Sequence, residues 1–231
     1  MIIIKKFFKG WNAFEYIFLA GAIIVPVTVG VIFKSWVIEI IANIILVMVA
    51  LLFAKAKIES YFLGFVSSTL YAIVSYRTHL YGEVVVSLAL LLPVCIYGAF
   101  NWLRNKFNDN RKGQVVKIVR LRWFELLLLV LSQVIMGVGY YFMLKAFNTD
   151  LLLISTFSIA TSFMATYLAA RRCSVALFAW FVNDFVVLGI WIMIVINGVA
   201  SSAVMIVMPC MYLISDTYGI FQWAKLKKSQ Q

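Results

Sequence analysis

The chain alternates between long apolar runs and short polar or basic gaps. A helix needs about 20 mostly apolar residues to cross a bilayer. Eight runs approach or exceed that length, at residues 14–33, 36–54, 60–76, 81–103, 123–144, 151–170, 175–196 and 199–223. The third run is the shortest, and its ends are the least defined. Because the runs are continuous and do not alternate at every second residue, they predict membrane-spanning helices and not the strands of a barrel.

Charged residues in the gaps indicate how these helices are oriented. If the chain starts in the cytoplasm and crosses eight times, all but three of the 20 Lys and Arg residues lie on the cytoplasmic side. The exceptions are Lys34, Arg77 and Lys145. This bias predicts eight spans in the inner, cytoplasmic membrane, with both termini in the cytoplasm. The basic start followed by an apolar run is also typical of a signal peptide. No clear small-residue cleavage site follows, so we expect the first run to remain as a helix.

A short motif occurs twice. Tyr-Gly-x-Phe-x-Trp ends the fourth run at residues 97–102 and the eighth run at 218–223, and basic residues follow each copy. Coincidence is the alternative, since tyrosine and tryptophan are common at membrane interfaces. An even number of spans separates the copies, so a duplication would give two halves that run parallel, as in many transporters. We therefore expect an extra N-terminal helix (1–34), a three-helix bundle (35–106), a basic loop with a linker helix (107–148), and a second three-helix bundle (149–231).

Composition excludes several classes of protein. Of the 231 residues, 65% are hydrophobic and the mean hydropathy is +1.01, so the chain needs lipid around it. The net charge of +11 does not indicate nucleic-acid binding, because the basic residues lie in the gaps between apolar runs. The three cysteines are scattered and His79 is the single histidine, so neither a metal nor another cofactor is expected. Phosphate-loop, Gly-x-Ser-x-Gly and His-Glu-x-x-His motifs are missing, which argues against an enzyme.

The longest gap, residues 104–122, begins polar and then alternates apolar with basic residues. This pattern is typical of a short interfacial helix whose basic residues face lipid headgroups. It also fits a stretch that does no more than anchor the topology, and we favour that interpretation.

Polar groups within the bilayer are costly, so they are the first candidates for function. The seventh run carries Trp180, Asn183 and Asp184, with Asp184 near mid-depth and Leu177 on the same helical face. A carboxylate beside an indole can hold an aromatic ring or a cation. The alternative is a structural aspartate that pairs with a Ser or Thr of a neighbouring helix, or that is protonated.

Other polar positions have more than one interpretation. Asp216 in the eighth run, together with the motif tyrosines Tyr97 and Tyr218, is a candidate for gating or pairing. Glu39 and Glu83 are expected at the hydrated rim. The mid-span amides Asn43 and Gln133 either line the site or join helices. Small polar residues form a stripe that we assign to helix packing before a polar pathway: Ser155, Ser158, Ser162 and Thr166.

Several segments, in this order, carry a resemblance to a known family: residues 57–64, 80–83 and 97–102 in the first half, and 180–184 and 219–223 in the second. Over most of 36–227 the chain resembles the PnuC family of nicotinamide riboside transporters, relatives of the SWEET sugar carriers. The resemblance implies facilitated diffusion by alternating access, in which two bundles rock about one central site. Net uptake would follow from phosphorylation of the substrate by a separate kinase.

The family's seventh span has a substrate-contacting motif, Trp-x-x-Trp-x-x-x-Asn/Asp, which here reads Leu177-x-x-Trp180-x-x-x-Asp184. A glutamine common in its fourth span is replaced by Ser87, and an asparagine of its third span by Ser67. The substrate-binding set implied by the resemblance and by the polar pattern is Trp180, Asp184, Asn183, Leu177, Ser87, Ser67 and Asn43. Trp180 would stack on the ring of the ligand, and Asp184 would take a sugar hydroxyl or a positive ring.

The expected ligand is nicotinamide riboside or a closely related nucleoside-like vitamin precursor. Thiamine and deoxynucleosides are alternatives within the family, and a receptor or scaffold that does not transport is the alternative of another class. The sequence leaves open whether ions are coupled and whether the protein forms a homo-oligomer.

Overall fold

The computed structural model describes residues 10–109 and 113–230, and this part of the chain is almost entirely helical. Its long helices are α1 (Ala13–Ile32), α2 (Val37–Ala54), α3 (Glu59–Arg77), α4 (Tyr81–Arg104), α5 (Trp123–Ala146), α6 (Leu152–Ala170), α7 (Ala176–Ile196) and α8 (Val204–Ser229). A 3₁₀ turn, Ala200–Ala203, leads into α8. All eight coincide with the predicted runs, and α8 continues past the predicted end at residue 223.

Seven of these helices are long and apolar enough to cross a membrane, when α8 is counted with its leading turn. Helix α3 is not among them. It is rich in serine and tyrosine and carries Glu59 and Arg77 at its two ends, so its mean hydropathy is low. The all-helical fold is therefore as expected, whereas the count of eight spans stays a prediction.

Most of the helices end in the same type of turn. The second residue after the helix has a left-handed backbone, which lets two amide N–H groups bond back to the last helical carbonyls. Glycine is the usual choice there, but at five ends a residue with a side chain takes this conformation, with φ between 49° and 61°: Lys34, Ala56, His79, Asn148 and Arg172. Gly198 fills the same position after α7. Such turns reverse the chain within a few residues and keep consecutive helices antiparallel.

Helix packing forms two similar groups. α2, α3 and α4 pack in succession, as do α6, α7 and α8, and the groups meet where α8 lies on α2 and α4 lies on α6. α1 packs against α2 and α8. α5 packs on α6 but leaves nearly all of its side chains exposed, as expected for a helix that faces lipid. The predicted division into two repeated three-helix bundles stays a prediction.

Both copies of the repeated motif end at the same side of the bundle, which we call the tryptophan end. The rings of Trp102 and Trp223 lie 6.0 Å apart, centroid to centroid, and both side chains are 1% exposed. They pack with Phe53 and Tyr61 in the larger hydrophobic core. A second core, around Trp191 and Met205, fills the opposite end.

The long gap contains a small β-hairpin at the tryptophan end. Strand β1 (Lys106–Asp109) pairs antiparallel with β2 (Gly113–Val116). Val116 N–H donates to the carbonyl of Ala56, and Val119 forms a bridge to Cys173. The interfacial-helix interpretation is therefore wrong, because the β-branched residues of this stretch are buried against the ends of α2 and α6.

Helix α4 is irregular. Its first turn, Tyr81–Val85, is followed by a π-helical segment, Val86–Leu91, before the α-helix resumes at Leu92. Pro93 lacks an amide hydrogen, so it cannot complete a regular ladder at this point. π-Segments are rare and occur frequently at functional sites, and this one begins three residues after Glu83, whose side chain is buried.

Candidate functional site

A central cavity of about 160 Å³ lies between the two groups of helices. Six helices contribute to its wall, three from each group. A single water needs roughly 10–15 Å³ by the same measure, so the space suits a larger guest. Its wall is mainly apolar, with a few polar groups converging on it, which is typical of a binding site for a small molecule.

Helix α7 supplies the polar group predicted from the sequence. Trp180, Asn183 and Asp184 all line the cavity, Trp180 half-buried and the other two buried. The Asn183 Oδ1 atom accepts hydrogen bonds from Thr161 at 2.7 Å and Ser162 at 3.0 Å, which fix the amide. Ser162 belongs to the polar stripe of α6 described above, so that stripe serves the site as well as helix packing.

Asp184 meets a second carboxyl group in the cavity. Asp216 of α8 also lines the wall, so two buried carboxyl groups belong to the same cavity. Asp184 is 1% exposed, Asp216 is 4% exposed, and the Oδ2 atom of Asp184 has no hydrogen-bond partner among the described residues. Tyr212 lies one turn before Asp216 on the same face of α8 and lines the wall too. Asp216, predicted to gate or to pair, thus lies in the same cavity wall as the principal candidate residue, and its role stays a prediction.

Glu83 corrects one expectation. We expected it at a hydrated rim, but it is 2% exposed and lines the cavity. Its carboxylate accepts hydrogen bonds from Ser158 at 2.5 Å and from Tyr71 at 3.2 Å, and the Tyr71 hydroxyl in turn accepts one from Trp191. Four helices, α3, α4, α6 and α7, are therefore joined through one acidic side chain. Glu39 is likewise buried, at 4% exposure, although it lies away from the cavity.

The remaining sequence candidates divide into two groups. Ser67 lines the cavity, where its hydroxyl donates to the Gly64 carbonyl at 3.0 Å. Leu177, Ser87 and Asn43 are each 0% exposed but do not belong to the wall formed by the described residues.

Each of these three has a physical reason to lie elsewhere. Leu177 packs against Gly219 of α8, and Asn43 donates to the Val204 carbonyl at 2.7 Å, so it joins α2 to α8. Ser87 lies within the π-segment, where its neighbour Val86 takes the place in the wall.

The two motif tyrosines differ from each other. Tyr97 is 57% exposed and does not reach the cavity. The Tyr218 hydroxyl donates to Glu15 at 2.8 Å and accepts from Asn12 at 2.9 Å. Because Glu15 also forms a buried ion pair with Lys55, Tyr218 helps to fasten α1 to the tryptophan end.

Two equivalent contacts join the groups of helices at the tryptophan end, beside the cavity. The Trp102 indole N–H of α4 donates to the Ala169 carbonyl of α6 at 3.2 Å. The Trp223 indole N–H of α8 donates to the Phe53 carbonyl of α2, also at 3.2 Å. Phe53 and Ala169 are themselves part of the cavity wall. The last helix of each group therefore bonds to the first helix of the other, directly at the end of the cavity.

Sequence reasoning missed Tyr71 and Tyr212 and misplaced Glu83. For Tyr212 a signal existed, since Met208, Tyr212 and Asp216 follow helical spacing and all three line the wall. Tyr71 had no comparable signal, because interfacial tyrosines are common and its helix has little amphipathic pattern.

Comparison with known proteins identifies the family. A family model described as nicotinamide mononucleotide transporter matches residues 36–225. The chain belongs to this family. Within it, the chain is similar to the nicotinamide riboside transporter PnuC of Neisseria mucosa, with 26% identity over 97% of this chain and 86% of the relative. It is also similar to the nicotinamide riboside transporter PnuC of Haemophilus influenzae, with 24% identity over 97% and 95% of the two chains.

A solved structure shows the same fold. The crystal structure of the vitamin B3 transporter PnuC matches with a TM-score of 0.89 and 25% sequence identity, over 98% of this chain and 97% of the other. The resemblance noted from short motifs is thereby confirmed, and the nicotinamide mononucleotide transporter family places the protein among membrane transporters.

Proposed function

We propose that this protein carries nicotinamide riboside across the membrane by facilitated diffusion and alternating access. The observation that supports it is the cavity between two groups of helices, whose wall contains Trp180 together with the carboxyl groups of Asp184 and Asp216. The similar proteins named nicotinamide riboside transporter point to the same ligand. Net uptake then depends on phosphorylation of the riboside by a separate kinase, and the carrier itself performs no chemistry.

The charge of the cavity wall favours the riboside over the mononucleotide. Three carboxyl groups lie in the wall, those of Glu83, Asp184 and Asp216, and no Lys, Arg or His is among the described residues that form it. A phosphate would have to lose its hydration without gaining a positive partner, at a cost of several kcal/mol. The pyridinium ring of nicotinamide riboside carries a positive charge, which the carboxyl groups and the face of Trp180 would stabilise.

The residues of the site then take distinct roles. Trp180 stacks on the nicotinamide ring, and Asp184 faces its positive charge or a ribose hydroxyl. Asn183, held by Thr161 and Ser162, orients the ligand through its amide. Ser67 adds a polar contact from the opposite group of helices.

An internal repeat would suit alternating access. In this proposal the chain consists of an extra N-terminal helix (1–34), two parallel bundles (35–106 and 149–231) and a loop with a linker helix (107–148). The reciprocal hydrogen bonds of Trp102 and Trp223 are what two equivalent, parallel halves would produce. All eight helices would cross the inner membrane, and the basic gaps would hold the tryptophan end and both termini in the cytoplasm.

Thiamine is the second candidate ligand, because it is also a cationic aromatic compound and Leu177 replaces the first tryptophan of the family motif. A neutral deoxynucleoside gains less from the three carboxyl groups. A receptor that binds but does not transport fits the parallel arrangement less well, since access from two sides has no purpose in it.

A binding panel and a transport assay test the proposal together. Nicotinamide riboside should raise the unfolding temperature of the purified protein, and the mononucleotide should not. At a ligand concentration 100 times Kd, binding adds about 2.7 kcal/mol to the free energy of unfolding. Vesicles containing this protein alone should exchange labelled riboside. Binding without exchange would favour a receptor, and a response to thiamine alone would favour the second ligand.

Two substitutions locate the site. Trp180→Ala and Asp184→Ala should each abolish binding while the protein still inserts in the membrane. Trp123→Ala and Glu125→Ala are matched controls, because Trp123 is 78% exposed on α5 and Glu125 lies on the same helix outside the cavity. Full affinity in both site variants would show that the ligand binds elsewhere.

A further inference from the structure

The carboxyl group of Glu83 is fixed in the cavity wall by two donors. Ser158 of α6 donates to its Oε1 atom at 2.5 Å, and the Tyr71 hydroxyl of α3 donates to its Oε2 atom at 3.2 Å. The Trp191 indole N–H can only donate, so its bond to the Tyr71 oxygen at 3.1 Å leaves the hydroxyl hydrogen of Tyr71 for Glu83. Both carboxylate oxygens therefore accept one hydrogen bond, and each keeps a further lone pair.

This carboxylate and Trp180 lie at two different levels of the cavity. Helices α6 and α7 run antiparallel, and Asn183 of α7 accepts from Ser162 of α6, so these two residues share a level. Ser158 precedes Ser162 by four residues, which places it about 6 Å further from the tryptophan end. Trp180 precedes Asn183 by three residues, which places it about 4.5 Å nearer to that end. Glu83, bonded to Ser158, is therefore about 10 Å from Trp180 along the bundle.

The acceptors that a sugar needs are stronger on the Glu83 side. In the part of the wall nearest the tryptophan end, the polar side chains of the described residues are uncharged hydroxyls: Ser60, Tyr61 and Thr166. The Ser60 hydroxyl already donates to a backbone carbonyl at 2.8 Å, and the Tyr61 hydroxyl lies against Gly98. A carboxylate accepts hydrogen bonds more strongly than an uncharged group. A ligand with its ring at Trp180 would therefore place its sugar towards Glu83.

We propose that Glu83 binds the 2′ and 3′ hydroxyls of the ribose, so that this residue selects ribosides over deoxyribosides. The two hydroxyls are adjacent on the sugar, and each donates to one carboxylate oxygen through the lone pair that Tyr71 and Ser158 leave free. The nicotinamide ring then lies at Trp180, with its positive charge at Asp184. This assignment rests on the proposed function and adds to it the orientation of the ligand in the cavity.

Two cations that differ by one hydroxyl test the assignment. Nicotinamide riboside and its 2′-deoxy analogue carry the same ring and the same charge, so the ratio of their Kd values, measured by calorimetry, isolates the sugar contact. Because the acceptor is charged, the unmodified protein should bind the riboside about 10- to 100-fold more tightly. Equal affinities would overturn the role of Glu83 and leave the transport function standing. If neither compound binds, the proposed function fails and the assignment fails with it.

Three variants locate the contact. Glu83→Gln should lose most of the preference and still fold, since the Ser158 hydroxyl can accept from the new amide while Tyr71 donates to its oxygen. Asp184→Asn should weaken both compounds and keep the preference. Glu39→Gln changes a buried carboxyl group away from the cavity and should keep both affinities. A preference of unchanged size in Glu83→Gln would overturn the proposal, and its loss in Asp184→Asn instead would place the sugar at Asp184.

Discussion

The two indole hydrogen bonds at the tryptophan end predict how firmly the cavity is closed there. Replacing Trp102 or Trp223 by Phe keeps an aromatic ring but removes the N–H that bonds to the other group of helices. If this end opens during transport, both bonds must break. Each substitution should therefore shift the equilibrium towards a state that is open at the tryptophan end.

The magnitude follows from the partners of the two carbonyls. The Ala169 carbonyl also accepts from the Arg172 N–H, and the Phe53 carbonyl from the Ala56 N–H, so neither is left without a hydrogen bond. The loss is then that of an ordinary hydrogen bond, about 1 kcal/mol, and not the larger penalty of an unpaired buried group. One kcal/mol corresponds to about a fivefold larger open population, and the double variant would reach about 30-fold if the effects add.

Cys95 provides the assay, because it lines the cavity and is partly buried. In a Cys210→Ser background, a thiol reagent that cannot cross membranes is applied from each side of oriented vesicles. Cys173 is 0% exposed and can stay. The rate of modification from the tryptophan end should rise about fivefold for each single variant, in proportion to the open population, with no change from the opposite side.

The control is Trp123→Phe, which alters a tryptophan exposed on α5 and should leave both rates unchanged. Unchanged rates in both single variants and in the double variant would refute the idea that these bonds close the cavity. An equal rise from both sides would refute it as well, since that result indicates general loosening of the protein.

Two further predictions concern stability. An alanine at Gly219 would place its Cβ atom 2.9 Å from side-chain atoms of α2 and α7, so Gly219→Ala should lower the free energy of unfolding by about 1–3 kcal/mol, whereas Gly137→Ala, with nothing within 4 Å, should not. Thermal unfolding in detergent checks both, and equal stability of the two variants would contradict the packing. Glu15→Gln should cost about 3–5 kcal/mol because it breaks a buried ion pair, whereas Glu125→Gln breaks a partly exposed pair and should cost less than about 1 kcal/mol. Similar losses in these two variants, measured in the same way, would show that burial does not set the strength of the ion pairs.

The helices could be predicted closely because each lies in one apolar run whose ends carry charge. Local hydropathy decides where such a helix begins and ends, and packing changes little. The hairpin between α4 and α5 was harder, since a short stretch of valines among basic residues fits a helix or a strand until its neighbours are known.

The site was predicted only in part, because some of its residues depend on partners in other helices. Asp184 could be assigned to the cavity from its own helix, because a carboxyl group near the middle of the bilayer almost always faces the interior of the helix bundle. Glu83 was assigned to a hydrated rim from its position near the start of α4, but donors from α3 and α6 bury it. For Asn43 the choice between ligand contact and helix contact depends on how α2 is rotated against α8, and one sequence does not contain that rotation.

The π-segment of α4 has a consequence for insertions and deletions. The π-helical winding between Val86 and Leu91 places more residues in the same rise along the helix axis than an α-helix does. It therefore sets the rotation about the axis between the first turn of α4 and the part that carries Trp102. Inserting one further residue there in regular winding would rotate one part against the other by about 100°. Glu83 and Trp102 would then no longer both face their partners. The lipid-facing surface of a helix usually tolerates many substitutions. In this stretch, the number of residues matters more for the fold than their identity.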